Sequence, residues 1–235
     1  MPESILLFKY YWAQMVIIAV LSYFIGCINS SILVTKIMRP GKDIREMGSG
    51  SAGFTNAMRT MGKRIGILTF AGDFTKGVMA VWLGRSIIFM QPELAGNMAA
   101  LQYGAYLAGI MCVLGHIWPC FFKFKGGKGI LTTWAVTFLI DWRAFLILIF
   151  VFLIVLFFSK MVSLASICAA VMYPITTFLI TYFIDYKYSK DLPYVVFSSV
   201  VTLLIAIIII YKHRSNITRI LNGTESTIMS IIRNK

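Results

Sequence analysis

Pro193–Tyr211 reads PYVVFSSVVTLLIAIIIIY, a run without a charged side chain, and Lys212, His213 and Arg214 follow it directly. About 20 apolar residues span a bilayer as a helix. A helix can do so because it satisfies its own backbone N–H and C=O groups where no water is present. The run is therefore predicted to be a membrane span that stops at a basic interface. Six more apolar stretches can be marked outward from it, at 11–38, 64–90, 97–122, 129–142, 143–159 and 162–184. The pair at 129–142 and 143–159 is short and tightly joined at Asp141, Trp142 and Arg143, as a helical hairpin or one kinked element.

Composition agrees. Of 235 residues, 59% are hydrophobic and 13% charged, against about 45–50% and about 25% in soluble domains. Too few charges remain to cover a water-facing surface. The first apolar stretch runs on into a polar motif with no small-residue cleavage site, so it reads as a first span and not as a signal peptide. The net charge of +13 would suggest nucleic acid on a soluble protein. Here it is assigned to positive-inside loops, anionic lipid headgroups and an anionic substrate, with no nucleic-acid partner. Cys27, Cys112, Cys120 and Cys168 lie in or beside apolar segments without metal-ligand spacing and read as small buried hydrophobes. No metal and no cofactor is expected.

Lys and Arg set the orientation. With the N-terminus outside, the inner segments 36–64, 123–128, 160 and 212–235 hold 16 of the 22. The outer segments hold Lys9, Arg85, Arg143, Lys187 and Lys190, and Lys76 sits inside a span. The predicted fold is an all-α integral membrane bundle of about seven transmembrane helices, one domain over residues 1–235, with a cytoplasmic C-terminus. Merging the two short stretches into one span would put the basic tail outside, against this bias.

That orientation brings every glycine-rich basic segment to the cytoplasmic face. The first runs from Asp43 to Arg59 and includes Gly48, Ser49, Gly50, Ser51, Thr55 and Asn56. Glycines let successive N–H groups turn toward one anion, hydroxyls and an amide add donors, and Arg59 supplies a fork suited to phosphate. A flexible basic loop would have the same composition. The second, Lys125-Gly126-Gly127-Lys128-Gly129, opens a helix. It offers free N–H groups, a helix N-terminus and an ammonium together, but lacks Walker A spacing. A lysine anchor with a glycine turn is the plainer reading. The third, Tyr211-Lys212-His213-Arg214-Ser215-Asn216, places His213 and Asn216 on one helix face, where His213 would bind phosphate, carry a proton or snorkel at the interface. Gly223 and Glu225 follow. Asp73 and Lys76 form either a structural pair inside a span or a functional one. Ser163 and Ser166 either line the bundle or pack helices, and His116 reads as structural.

Together these segments resemble the bacterial acyl-phosphate:glycerol-3-phosphate acyltransferase family. The family's first motif, Gly-Ser-Gly-Asn-x-Gly-Ala-Thr-Asn followed by Arg, is matched from Gly48 to Arg59, with Ser51 in place of Asn and Phe54 in place of Ala. Lys125–Gly129, preceded by Gly115-His116 and Pro119, matches the second, and Tyr211 to Ile217 with Gly223 and Glu225 resembles the third. Val162–Ile167 and Asp73 to Gly77 are also similar. The resemblance implies an enzyme of about seven spans in the bacterial cell membrane, its active site facing the cytoplasm. It would transfer an acyl group from acyl phosphate to the sn-1 hydroxyl of glycerol 3-phosphate, giving lysophosphatidic acid for phospholipid synthesis. It further implies catalytic roles for Ser49, Arg59, Lys128, His213 and Asn216, and substrate binding by Gly50, Thr55, Gly126, Gly127, Gly129, Ser163 and Glu225. The Ser51 and Phe54 departures bear on donor fit more than on phosphate binding.

The residues fit such chemistry. No Gly-x-Ser-x-Gly elbow is present, and neither His116 nor His213 has an Asp five places on. An acyl phosphate carries its own leaving group and a glycerol hydroxyl is its own nucleophile, so no enzyme nucleophile is required. A transporter of a phosphorylated or anionic small molecule is the competing class. Transporters, however, tend to show repeats and broken helices near the midplane, and no repeat is visible here.

Overall fold

A computed structural model describes residues 9–94, 96–189 and 191–228. Lys190, Arg233 and Lys235, counted above for orientation, lie outside the described residues. All regular secondary structure among the described residues is helical, and the chain divides into two compact units, Met1–Ile140 and Asp141–Lys235.

In the first unit the apolar stretch at 11–38 is broken. Helix α1 is Trp12–Cys27 and α2 is Ser30–Met38. Asn29 sits in the break and caps α2, its side-chain oxygen accepting from the Ile32 N–H at 3.1 Å. A loop with a 3-10 turn at Ile44–Glu46 leads to α3, Phe54–Met61, and then to α4, Lys63–Phe89. Helix α5, Met98–Ile117, is capped by Asn97. A 3-10 turn at Cys120–Phe122 and a glycine-rich loop lead to α6, Ile130–Ile140. Helix α5 packs on both α1 and α4, and α4 also meets α2, α3 and α6. Backbones approach closely where side chains are smallest. A Cβ on Gly26 would lie 2.2 Å from the Cys112 carbonyl oxygen, and one on Gly115 would lie 2.1 Å from that of Tyr23.

The second unit opens at Asp141, which caps α7, Trp142–Ser159. Helix α8 is Val162–Ile180, contains Pro174, and continues through a π-turn at Thr181–Asp185 into α9, Tyr186–Ser189. Asp191 caps α10, Leu192–Lys212, and α11 is Arg214–Leu221. The Arg143 guanidinium donates to both Asp141 and Asp185 at 2.8–2.9 Å, tying the start of α7 to the π-turn after α8.

Among the described residues, five segments are long and apolar enough to cross a membrane, Trp12–Met38, Met98–Phe122, Trp142–Ser159, Val162–Tyr188 and Leu192–Lys212. Large apolar side chains on them face outward, Phe150, Phe157 and Phe158 of α7 among them. Lipid, which is as apolar as they are, is the solvent that makes this inexpensive. The other two expected stretches are also helices, but of different character. Helix α4 has the length but carries Asp73, Lys76 and Arg85. Helix α6 has 11 residues, which rise about 16 Å, roughly half the hydrocarbon core.

Candidate active site

The first glycine-rich segment is folded onto one buried amide. Asn56, in α3, accepts the Ser49 N–H at 3.0 Å and donates to the carbonyls of Ile44 and Met47 at 3.2 and 2.9 Å. Gly48 runs at φ +58, and a Cβ there would meet the Asn56 side-chain oxygen at 2.3 Å. Only glycine tolerates that turn beside that amide. The Gly50 N–H donates to Met47, closing the turn. Ser49 and Gly50 stand exposed at its tip, Thr55 is half-buried in the first turn of α3 and Arg59 half-buried in its last. Asp43 takes a fork of hydrogen bonds from Arg45 at 2.6–3.1 Å. These bonds hold its carboxyl below the usual carboxylate range against the effect of partial burial.

The second segment packs against the first. Arg45 also donates to the Phe122 carbonyl at 3.0 Å. The N–H groups of Gly126 and Gly127 donate to the carbonyls of Ile117 and His116 at 3.2 Å, folding the loop back on the end of α5. A Cβ on Gly126 would stand 2.0 Å from the His116 carbonyl oxygen. On Gly127 it would stand 2.1 Å from His116 Nε2 and 2.7 Å from the Ala52 carbonyl oxygen. The pair of glycines thus threads between α5 and the first loop. Lys128 is half-buried beyond it, and Gly129, at φ +85, starts α6 by accepting the Thr133 N–H. Four amides that sequence alone offered to a ligand, those of Ser49, Gly50, Gly126 and Gly127, are engaged inside the protein. The donors at the start of α6 are the natural alternative, because a helix's first N–H groups have no intrahelical partner.

Behind these loops lies a buried ionic cluster. The Lys76 ammonium is 2.8 Å from Asp73 Oδ1, donates to the carbonyls of Gly26 and Ile28 at 3.2 and 3.0 Å, and lies 2.9 Å from His116 Nδ1. The Asp73–Lys76 pair was legible in the sequence, one helical turn apart. The place of His116 in it was not, because it depends on the packing of α5 against α4.

In the second unit, Glu225 gathers three donors. Ser163 Oγ and Asn216 Nδ2 share its Oε1 at 2.8 and 2.9 Å, and Arg219 Nε donates to Oε2 at 2.7 Å. Burial alone would push this carboxyl up, but the hydrogen bonds from Asn216, Ser163 and Arg219 outweigh it and hold it below the usual glutamate range. Ser163, Asn216 and Glu225, singled out in two separated segments, therefore form one cluster. Arg219 belongs with them and was counted above only as a basic residue. His213, buried where α10 gives way to α11, has Nδ1 2.8 Å from the Ile209 carbonyl oxygen. A carbonyl only accepts, so Nδ1 carries the hydrogen in this bond. Among the described residues, no three His, Cys, Asp or Glu side chains are grouped to hold a metal ion.

The chain is similar to known proteins along most of its length. The family model described as glycerol-3-phosphate acyltransferase matches residues 16–223. Glycerol-3-phosphate acyltransferase of Finegoldia magna is 36% identical over 92% of this chain and 96% of its own length. That of Clostridioides difficile is 39% identical over 91% and 95%, and that of Bacillus subtilis 37% over 89% and 95%. The crystal structure of PlsY (YgiH), an integral membrane glycerol 3-phosphate acyltransferase, in its glycerol 3-phosphate form, superposes with a TM-score of 0.71 at 31% identity, covering 91% of this chain and 95% of that one. Its lysophosphatidic acid form gives 0.70 at the same identity. With its all-helical membrane fold, the chain belongs to the glycerol-3-phosphate acyltransferase family and is an integral membrane acyltransferase.

Proposed function

We propose that this acyltransferase uses acyl phosphate as donor and acylates the sn-1 hydroxyl of glycerol 3-phosphate. The attacking hydroxyl oxygen forms the new ester bond to the acyl carbon, the acyl carbon–oxygen bond to phosphorus breaks, and inorganic phosphate departs. The hydroxyl proton goes to a phosphate oxygen of the donor, so no side chain need act as nucleophile. Holding two reactants in line contributes up to roughly 7–11 kcal/mol of barrier lowering, and in this scheme that is most of what the protein does. In the first unit Arg59 and Lys128 bind and orient phosphate, with Ser49 as a further donor, and in the second His213 and Asn216 have the same role. Gly50, Thr55, Gly126, Gly127 and Gly129 shape the loops that carry them, and Ser163 and Glu225 fix Asn216.

The observation that carries this reading is the joining of the two glycine-rich basic loops into one cluster, through Arg45 on the Phe122 carbonyl and Gly127 against Ala52. A phosphate cradle needs its polar side chains preorganised, and this joining fixes the loops that carry them. The chain acts as a single catalytic domain, 1–235, in the bacterial inner membrane. It makes about seven crossings, with α4 and the short α6 added to the five apolar segments, the N-terminus outside and the glycine-rich loops and C-terminus in the cytoplasm. A helix shorter than the bilayer is accommodated by local thinning and snorkelling of its flanks. The test is an assay of the purified protein with glycerol 3-phosphate, offering acyl phosphate and acyl-CoA in parallel. Product from acyl phosphate alone is expected, and equal use of acyl-CoA would refute the donor assignment.

A further inference from the structure

We infer that Lys76 and His116 are positioning residues for the phosphate loops, one buried ammonium setting the geometry of both glycine-rich segments without touching substrate. The inference rests on the assignment of Lys128 and the loops to phosphate binding. The Lys76 side chain joins four groups from three helices. It pairs with Asp73 one turn earlier in α4, donates to the carbonyls of Gly26 and Ile28 at the C-terminal end of α1, and meets His116 Nδ1 at the end of α5. Asp73, Lys76 and His116 are each less than 5% exposed.

Each contact leads to one loop. The Gly26–Ile28 end of α1 is followed by Asn29, whose Nδ2 donates to the Ala52 carbonyl of the first loop at 3.3 Å. On the other side, the His116 carbonyl accepts the Gly127 N–H, and the His116 ring edge lies against Gly127. An ammonium has donors only, so His116 Nδ1 must accept from Lys76. The ring hydrogen is then on Nε2, the edge turned toward Gly127, one residue before Lys128. The cluster thus fixes the tautomer and the ring plane against which the second loop is laid, and through Asn29 it fixes the first. A charge buried only for stability would not need a partner at the root of each loop, and isosteric apolar residues do as well or better for stability.

The experiment compares purified wild type with His116→Asn, which keeps an acceptor where Nδ1 stands, and His116→Leu, which removes it. The doubly neutral Asp73→Asn/Lys76→Met variant is added because it removes both charges of the buried pair and leaves neither unpaired. Readouts are KM for glycerol 3-phosphate, kcat, the shape of the pH–rate profile and the apparent unfolding temperature. The expected result is a KM raised about tenfold or more in His116→Leu, with His116→Asn within about threefold of wild type, since loss of a buried partner costs at least one such factor. The pH profile keeps its shape, because His116 exchanges no proton with substrate. A lowered unfolding temperature with KM unchanged in His116→Leu and in the double variant would overturn the inference, as would a His116→Asn enzyme no better than His116→Leu. Lys128→Ala is measured alongside. Full activity there would sink the phosphate-loop reading itself, whereas impaired Lys128→Ala with unaffected His116→Leu would sink the positioning role alone.

Discussion

Nδ1 of His213 lies 2.8 Å from the carbonyl oxygen of Ile209, one turn back on α10. This bond commits the near side of the ring to the backbone, and in the proposed scheme Nε2 is the ring atom that meets phosphate. A Gln side chain reaches the Nε2 position, whereas Asn reaches only as far as Nδ1. His213→Gln is therefore expected to keep activity within about tenfold of wild type, and His213→Asn and His213→Ala to lose about a hundredfold or more, the scale of a positioned polar group at the reacting centre. Steady-state rates with saturating glycerol 3-phosphate decide it. The reverse order would mean that the ring works through Nδ1.

Gly127 makes a steric prediction. Its absent Cβ would stand 2.1 Å from His116 Nε2 and 2.7 Å from the Ala52 carbonyl oxygen, and neither neighbour is the free end of a flexible chain. Gly127→Ala should push the loop by a sizeable fraction of an ångström and lower kcat/KM for glycerol 3-phosphate by about 10- to 100-fold, the order of loss that accompanies displaced catalytic geometry. Gly62, with nothing within 4 Å of an added Cβ, provides the contrast. Because it runs at φ +91, Gly62→Ala should cost stability with little change in KM.

Much of this was legible along the chain. Apolar runs such as 193–211 and 162–184 map onto α10 and onto α8 with its π-turn, because hydrophobicity over about 20 residues is a local property. The glycine-rich loops were visible for the same reason. The break at Ile28 and Asn29 was not, since one neutral amide scarcely alters an apolar run yet caps a new helix. The short stretch at 129–142 gave a helix of only 11 residues, and Asp141, read as a junction, proves to be the cap of α7. The role of Asn56 was also hidden. Sequence alone reads it as a donor to ligand, whereas the fold spends both ends of its amide on the loop's own backbone.

Asn56 therefore yields a further prediction. Asn56→Ala removes three bonds to the backbone and leaves buried polar groups unpaired, a cost of about 1–3 kcal/mol. Its apparent unfolding temperature should fall, and KM for glycerol 3-phosphate should rise as the Ser49–Gly50 turn loosens. Asn56→Asp, which keeps the acceptor for the Ser49 N–H but loses the donors to Ile44 and Met47, should not restore the enzyme. A fully active Asn56→Ala would contradict the assigned geometry.

Glu225 predicts a pH dependence of stability. Its folded-state pKa lies below the ordinary 4.5. Such a group contributes stability that is fully present above the unfolded value and is lost as pH falls through the folded one. Wild type should thus be more stable than Glu225→Gln at pH 7, by about 1–2 kcal/mol for charge-assisted bonds from Ser163, Asn216 and Arg219. The gap should close as the pH is taken below 4.5. Thermal unfolding in detergent at a series of pH values measures it. A gap that persists unchanged into that acid range would show that the carboxylate charge is not what joins the cluster.

The central claim is that basic, glycine-rich loops bind phosphate and orient acyl phosphate toward glycerol 3-phosphate. Its most direct test is Lys128→Ala assayed against wild type, with both substrates and with release of inorganic phosphate followed alongside acylated product. Wild type should release one phosphate per product from acyl phosphate and give none from acyl-CoA, and Lys128→Ala should fall by about a hundredfold or more. A Lys128→Ala enzyme with undiminished turnover on acyl phosphate would contradict the account.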